Sequence, residues 1–376
     1  MATRIHFRRE ALYGLAAVLL LLAAPGLGDE KPAEAKPPAT ATPDGTVPEW
    51  PMISLALQDQ YATGNLARIG VLNDAWCMSE YAVGAVTDHR LSREERMALH
   101  DESMKLFIEM PRSKMESSLE RYLEIHPQLS RKTTRTIIID IESPVQPRDF
   151  WRYLGGPDHD QITPEFTNIV NAFARRYSVI RDAFPNATLT VFSMGSPDSM
   201  GRERDIEKSR VRAEILAAKM GMLENVNAIS PEVYERFGPK DPGYKQMKRA
   251  TRQAMSHSLQ IVKACGRPVD IIVLMSLTVY NAPGHSSLAL KPADLNGLAD
   301  RLEYLASLGV KRVIFWNGRD NLENTQIPVV ERLTQLREIQ QERARAVETG
   351  GSPKDDAPPE PPPSSSPGPA TDPPGP

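Results

Sequence analysis

The sequence is poor in cysteine: Cys77 and Cys265 are the only two among 376 residues. Neither belongs to a Cys or His pair with the spacing of zinc ligands, so the sequence predicts no zinc site. In an exported protein the two thiols could form one disulfide, or both could stay free and buried, and the sequence leaves both interpretations open. No other metal site and no organic cofactor is predicted.

The sequence also lacks a strong charge and the common phosphate-binding motifs. Its 45 basic and 48 acidic residues give a formal net charge of −3, so there is no electrostatic reason to expect a nucleic-acid partner. No G-x-G-x-x-G motif follows a strand-like run, and no Walker loop occurs. Ser193 is not part of a G-x-S-x-G elbow, which argues against a serine hydrolase.

An apolar run at residues 12–24 follows three arginines and precedes several small residues. This pattern predicts a secretory signal peptide over residues 1–28. The run is short for a membrane span, so membrane attachment is expected only if the segment stays uncleaved. The predicted location is therefore secreted, periplasmic or at the cell surface.

Proline-rich segments set the limits of the folded region. Residues 29–50 are rich in Pro and Ala and predict a linker, and residues 349–376 are dominated by Pro and Ser and predict a disordered tail. Between them lie residues 51–348, about 300 residues, a length that suits a single barrel-sized domain.

The stretch TIIIDIESP, residues 136–144, is the most informative part of the chain. Its first four residues are β-branched and predict a buried strand. Asp140 and Glu142 follow two residues apart, so an extended backbone would place both side chains on one face. Acids at the carboxyl end of a strand are typical of catalytic sites in parallel α/β proteins, but also of helix caps and solvated loops.

From residue 136 onward the chain alternates between strand-like and helix-like segments, and five βα units can be identified. This alternation predicts an α/β protein with a parallel sheet, and it fits both an open doubly wound sheet and a closed barrel. The N-terminal third gives no three clear strands. A TIM-like (β/α) barrel would therefore be irregular or incomplete in that third.

Acids and aromatic residues follow several of the predicted strands. Besides Asp140 and Glu142, the strand ends carry Tyr234, Tyr280, Trp316 and Asn317. Aromatic rings stack on sugar rings and carboxylates carry out acid/base chemistry, so this set is typical of a carbohydrate-binding barrel mouth. The alternatives are purely structural roles: Tyr234 and Trp316 would pack in the core, and Tyr280 would only shape a loop.

The order of these segments resembles the hyaluronidase-type glycoside hydrolases. The sequence IDIE at residues 139–142, followed by Phe150 and Trp151, resembles the family's D-x-E strand, and AISPEVY at residues 228–234 is similar to its A-L-Y-P-S-I-Y segment. Residues 279–280 resemble its next Tyr-bearing strand, and GVKRVIFWNG at residues 309–318 resembles its last strand. In this chain Ile141 replaces a family aromatic residue, Ser230 replaces the first Tyr, and Asn317 replaces a Gly.

The resemblance implies a TIM-like barrel that cleaves a polysaccharide containing N-acetylhexosamine. It implies Glu142 as the general acid/base, whose pKa should be raised by a neighbouring carboxylate and by burial. It implies that Asp140 orients the substrate's acetamido group, whose oxygen attacks the anomeric carbon. Tyr234, Tyr280, Trp316 and Asn317 would then bind substrate, with Trp316 as the floor of a sugar subsite.

Two other interpretations remain open at this stage. The departure at Ser230 and the unclear N-terminal strands also fit a catalytically inactive carbohydrate-binding protein on a degenerate barrel. Alternatively, Glu142 and Glu232 could form an ordinary two-carboxylate pair across the mouth of the barrel.

Overall fold

The computed structural model describes residues 49–56, 68–72, 74–84, 92–127, 129, 135–196, 204–237, 240, 243–279, 291–316 and 329–348. Eight parallel strands in these ranges form one sheet in the order β2-β1-β8-β7-β6-β5-β4-β3. The strands are β1 (Met52–Leu55), β2 (Val71–Leu72), β3 (Ala75–Ser79), β4 (Thr136–Asp140), β5 (Thr188–Phe192), β6 (Ala228–Ser230), β7 (Asp270–Met275) and β8 (Arg312–Phe315).

The sheet curls into a nearly closed barrel. β2 pairs with β1 and β3 pairs with β4, but β2 and β3 are not paired with each other. Only residues 73 and 74 separate them, far too few for the crossover connection that neighbouring parallel strands need. The two short strands therefore follow one another along the chain, and this continuous segment bridges β1 and β4.

Helices connect the strands and cover the outside of the barrel. In the described ranges they are α1 (Arg93–Ala98), α2 (His100–Glu109), α3 (Arg112–Ile125), α4 (Pro164–Ala183), α5 (Arg204–Lys219), α6 (Tyr244–Ala264), α7 (Leu295–Ser307) and α8 (Val329–Glu348), with 3-10 helices at Glu80–Val83 and Pro147–Tyr153. In the described part of the chain, no helix is both long and apolar enough to cross a membrane.

Local sequence signals fix the starts of two helices. At α1, Ser92 accepts a hydrogen bond from the Glu95 backbone N–H and the Glu95 carboxylate accepts one from the Ser92 N–H, which is a complete capping box. At α4, Thr163 caps the Phe166 N–H at 3.0 Å and Pro164 occupies the first helical position. These caps satisfy backbone donors that a helix start leaves free.

The apolar core has two layers. Between the strands and the helices, Phe173 of α4 contacts Phe150 and Phe107, with ring centroids 5.1 and 5.2 Å apart. Inside the barrel lies a smaller cluster of mostly short or branched side chains: Ala56, Ala75, Ile138, Phe192, Ala228, Tyr234, Ile272, Leu274 and Ile314. The interior is therefore packed, which is expected for a barrel of this size.

A single arginine occupies the amino-terminal end of the barrel interior. Arg312, the first residue of β8, donates hydrogen bonds to Ser54 Oγ of β1 at 2.9 Å and to Thr136 Oγ1 of β4 at 2.5 Å. It also forms an ion pair with Asp74 at 2.5 Å. Because Arg312 reaches both sides of the barrel, it ties together strands that are not adjacent and leaves the opposite, carboxyl-terminal end as the mouth.

The structure confirms the predicted (β/α) barrel and its five C-terminal βα units. The irregularity expected in the N-terminal third is the two-part β2–β3 segment. Trp50, placed by the sequence at the end of the linker, is buried against β1, so the packed core includes this residue. Residues 1–48 and 349–376 lie outside the described residues, so the signal peptide, most of the linker and the tail stay predictions. Both cysteines are free thiols.

Candidate active site at the barrel mouth

Asp140 is the last residue of β4, and its side chain is half-buried at the barrel mouth. Side chains alternate along a strand, and Thr136 and Ile138 already lie inside the barrel, so Asp140 also lies on the inner face. The buried run of three isoleucines before it holds this end of the strand in place. The predicted buried strand at residues 136–139 is confirmed, and Asp140 continues it as its last residue.

Several carboxylates converge on Asp140. Burial, and after it the negative charges of Glu142, Glu80 and Glu232, raise the pKa of Asp140 from 3.8 to about 8, while a hydrogen bond from Cys77 acts to lower it. At neutral pH Asp140 therefore keeps its proton in the free protein. Such a strong perturbation in a barrel mouth is typical of a functional carboxyl group.

Glu142 lies just beyond the end of β4 and is exposed to solvent. The sequence-based hypothesis expected burial at Glu142, and this expectation is wrong: burial acts on Asp140 instead. The reason is that regular strand pairing stops at Asp140, so the backbone after it no longer carries side chains into the barrel. The negative charge of Glu142 nevertheless acts on Asp140, so the two side chains are close neighbours.

The other two carboxylates come from neighbouring strand ends. Glu80 directly follows β3 and is buried at the start of a 3-10 helix. Glu232 follows β6, and its backbone is fixed on both sides: its N–H donates to Ser196 Oγ at 2.8 Å, and it forms a bridge to Leu274 of β7. Sequence reasoning weighed Glu232 but missed Glu80, because the short β3 strand was not recognised.

An aromatic group lies beside the acids. The Trp316 ring, directly after β8, meets Phe192 edge-on with centroids 5.0 Å apart and lies 6.3 Å from the Tyr234 ring. Trp316 is half-buried, whereas Phe192 and Tyr234 are buried in the barrel interior. Trp316 thus lies over the packed interior at the mouth. Phe192, the last residue of β5, was not singled out from the sequence.

Three other positions named by the sequence have different outcomes. Tyr280 and Asn317 lie outside the described residues, so their roles stay predictions. Ser230, at the position where the sequence resemblance expects a tyrosine, is fully buried, and its hydroxyl shares a hydrogen bond of 2.6 Å with Thr190 of β5. Ser230 therefore contributes to strand packing inside the barrel. Tyr234 has a buried phenol oxygen, so it supports the wall beneath Trp316.

The acids do not form a metal-binding cluster. Within the described ranges, no group of three or more His, Cys, Asp or Glu side chains has an arrangement that could hold a metal ion. The described carboxyl groups at this mouth can transfer protons and form hydrogen bonds beside an aromatic surface.

The comparisons with known proteins concern the fold. No family model matches the sequence, and no curated protein matches it. A crystal structure of bee venom hyaluronidase is similar, with a TM-score of 0.52 and 11% identity over 80% of this chain and 100% of that chain. Bee venom hyaluronidase in complex with a hyaluronic acid tetramer gives a TM-score of 0.54 and 10% identity over 80% of this chain and 98% of that chain. At such low identity these two structures establish a shared barrel fold.

Proposed function

We propose that this protein is a glycoside hydrolase that cleaves a polysaccharide containing N-acetylhexosamine. The observation that carries the proposal is Asp140, an inward-facing carboxyl group with a raised pKa at the mouth of a barrel, next to Glu142 and the half-buried Trp316. The hyaluronidase-like fold and the D-x-E pattern support it. The N-terminal apolar run supports export, so the proposed location is secreted, periplasmic or at the cell surface.

In the proposed reaction the substrate supplies its own nucleophile. The acetamido carbonyl oxygen attacks the anomeric carbon, the glycosidic C–O bond breaks, and the leaving oxygen takes a proton from Glu142. Asp140 accepts a hydrogen bond from the acetamido N–H, which becomes more acidic as the oxygen attacks. Glu142 then removes a proton from water, the water oxygen attacks the anomeric carbon, and the bond to the acetamido oxygen breaks.

In this scheme Asp140 and Glu142 together hold one proton, and that proton is on Glu142 when substrate is bound. In the free protein the buried and crowded Asp140 holds a proton at neutral pH. An acetamido N–H pointing at Asp140 favours its carboxylate form, because a donor stabilises the charged state. Binding of the correct sugar would therefore favour the state in which Asp140 is ionised and Glu142 is protonated. Glu142 is exposed to solvent and would contact the substrate.

The remaining residues would bind the sugar. Trp316 offers its exposed part as a stacking surface, held edge-on by Phe192 and backed by Tyr234. We assign Tyr280 and Asn317 to substrate binding on sequence grounds. Tyr234 would act on the sugar through the position of Trp316.

Reducing-end release from a panel of N-acetylhexosamine polysaccharides tests the proposal. Wild type, Glu142→Gln and Glu124→Gln should be compared, because the Glu124 side chain is exposed near the end of α3 and is not among the charges that act most strongly on Asp140. We expect activity in wild type and in Glu124→Gln, and a loss of about 100-fold or more in Glu142→Gln, since glutamine keeps the shape but cannot transfer a proton.

One observation favours a second function, a glycan-binding protein without activity. Ser230 places a buried hydroxyl bonded to Thr190 where the resemblance expects a phenol. Under this function no polysaccharide is cleaved, while wild type and Glu142→Gln bind glycans equally in calorimetry. Cleavage that survives Glu142→Gln but is lost in Glu232→Gln would instead show that Glu232 is essential and that the assignment to Glu142 is wrong.

A further inference from the structure

Cys77 is the one thiol inside the barrel. It lies in the middle of β3, paired in register with Ile138 of β4, and is buried. Its Sγ atom lies 3.8 Å from Oδ2 of Asp140, within the range of a sulfur hydrogen bond. The other cysteine, Cys265, ends α6 and donates to the Ile261 carbonyl at 3.4 Å, so the two thiols have acceptors of different kinds.

The direction of the Cys77 hydrogen bond follows from the chemistry of its surroundings. Burial first, and then the charge of Asp140, raise the pKa of the Cys77 thiol well above 9.0, so sulfur keeps its hydrogen and acts as the donor. Asp140 Oδ2 is the acceptor. The other carboxyl oxygen, Oδ1, is buried and has no hydrogen-bond partner among the described residues.

The charged groups around Asp140 make this one donor important. Glu142 on the same segment, Glu80 after β3 and Glu232 after β6 all disfavour the carboxylate form of Asp140, as does burial. The Cys77 thiol acts in the opposite direction, because a donor stabilises the charged acceptor more than the neutral one.

We propose that Cys77 is a positioning residue for Asp140: its S–H group fixes the plane of the carboxyl group and stabilises the carboxylate form. The assignment of Asp140 to the acetamido group rests on the proposed function, but the hydrogen bond itself does not. Sulfur suits this position because its long bond to Cβ reaches the carboxylate from the neighbouring strand. A serine hydroxyl at the same Cβ would end short of Asp140.

The S–H stretching band in the infrared spectrum tests the hydrogen bond without any activity assay. The variant Cys265→Ser leaves Cys77 as the only thiol, and Cys77→Ser leaves only Cys265 as a matched control. In Cys265→Ser the band should move to lower wavenumber as the pH rises through about 8, because Asp140 becomes a stronger acceptor when it ionises. In Cys77→Ser the band should not move, because a backbone carbonyl does not titrate.

Adding Asp140→Asn to Cys265→Ser should abolish the pH dependence of the Cys77 band. A band that stays fixed between pH 6 and 10 in Cys265→Ser, or that moves equally with Asp140→Asn present, would overturn the proposal. This result is independent of catalysis: a moving band in a protein that cleaves no glycan would leave Cys77 in its role and remove the proposed hydrolase function instead.

If the protein is a hydrolase, the pH profile gives a second readout. Cys77→Val and Cys77→Ala both remove the S–H donor, but valine is slightly larger than cysteine and alanine is smaller. A change seen in both variants therefore reports the lost donor and not the change in side-chain volume. In both variants, the limb of the pH–rate profile that is set by the ionisation of Asp140 should move to higher pH by about half to one unit. This is the size expected for one weak hydrogen bond to a charged group. A lower rate with an unshifted pH profile in both variants would mean that Cys77 only fills space.

Discussion

Asp140→Asn should stabilise the protein, and the gain should grow with pH. In the folded protein the pKa of Asp140 is about 8, whereas in the unfolded chain the carboxyl group returns to its ordinary value of 3.8. Between these two pH values the unfolded chain has lost the proton and the folded protein still holds it. The folded state then binds more protons, so the free energy of unfolding falls as the pH rises.

The size of the effect follows from the separation of the two values. Each pH unit in this window is worth about 1.4 kcal/mol. From 3.8 to neutral pH the accumulated cost is therefore on the order of 4 kcal/mol, and above pH 8 it stops growing. Asparagine has nearly the same shape and no charge, so it removes this cost and leaves the packing of the mouth unchanged.

Denaturant unfolding at pH 5, 6, 7 and 8 measures the effect. The difference in unfolding free energy between Asp140→Asn and wild type should rise steadily over this series. Asp270→Asn makes the same chemical change at an exposed position on β7 and serves as the control, with a difference that stays near zero. A constant difference between Asp140→Asn and wild type would refute the view that Asp140 is buried as a neutral acid.

Three further predictions concern other charged groups. Glu214 of α5 is buried, its pKa is raised to about 8 mainly by burial, and its carboxylate accepts a hydrogen bond from the Gly195 N–H at 3.1 Å. Glu214→Gln should keep that bond. In denaturant titrations it should raise the unfolding free energy at pH 8 but not at pH 4, because the buried carboxyl group is costly only where the unfolded chain has lost its proton. Arg312→Met should lower the unfolding free energy by about 3–5 kcal/mol, because it leaves Asp74 unpaired. Adding Asp74→Asn to Arg312→Met should recover part of this loss. An equal loss in the single and the double variant would contradict the ion-pair argument. Three carboxylates lie near Asp140, so the mouth should repel a polyanion such as hyaluronan, and added salt should screen this repulsion. In calorimetry, salt should therefore strengthen the binding of hyaluronan more than the binding of uncharged chitin oligosaccharides.

Much of the fold could be predicted from the sequence because many of its strands and helix starts follow local rules. Residues 136–139 can hardly form anything but a buried strand, and the caps at Ser92 and Thr163 mark helix starts through interactions within three residues. The β2–β3 segment could not be predicted in the same way. The two residues of β2 pair with β1 and the five residues of β3 pair with β4, and both pairings depend on contacts distant in sequence.

The candidate site was only partly predictable for a related reason. A sequence identifies which residues follow a strand, but strand register decides which of them face the barrel. Asp140 could be identified because it continues the alternation of Thr136 and Ile138. Glu142 was expected to be buried and is exposed, because the strand ends two residues earlier. The contact between Cys77 and Asp140 could not be predicted, since the two residues are 63 positions apart in the sequence.

A raised carboxyl pKa does not by itself identify a site, and this chain contains the comparison that shows why. Glu214 and Asp140 both have a pKa of about 8, and burial is the main cause in both. Glu214, however, lies on a helix outside the barrel, where a backbone N–H holds one oxygen and nearby arginines offset the carboxylate of Glu207. Among the described residues, the charges that act most strongly on Asp140 are those of the carboxylates Glu142, Glu80 and Glu232, and Asp140 lies at the open end of the barrel. Like charges gathered around a partly buried carboxyl group at a barrel mouth are typical of functional sites, so this arrangement, and not the raised pKa alone, supports the proposed role of Asp140.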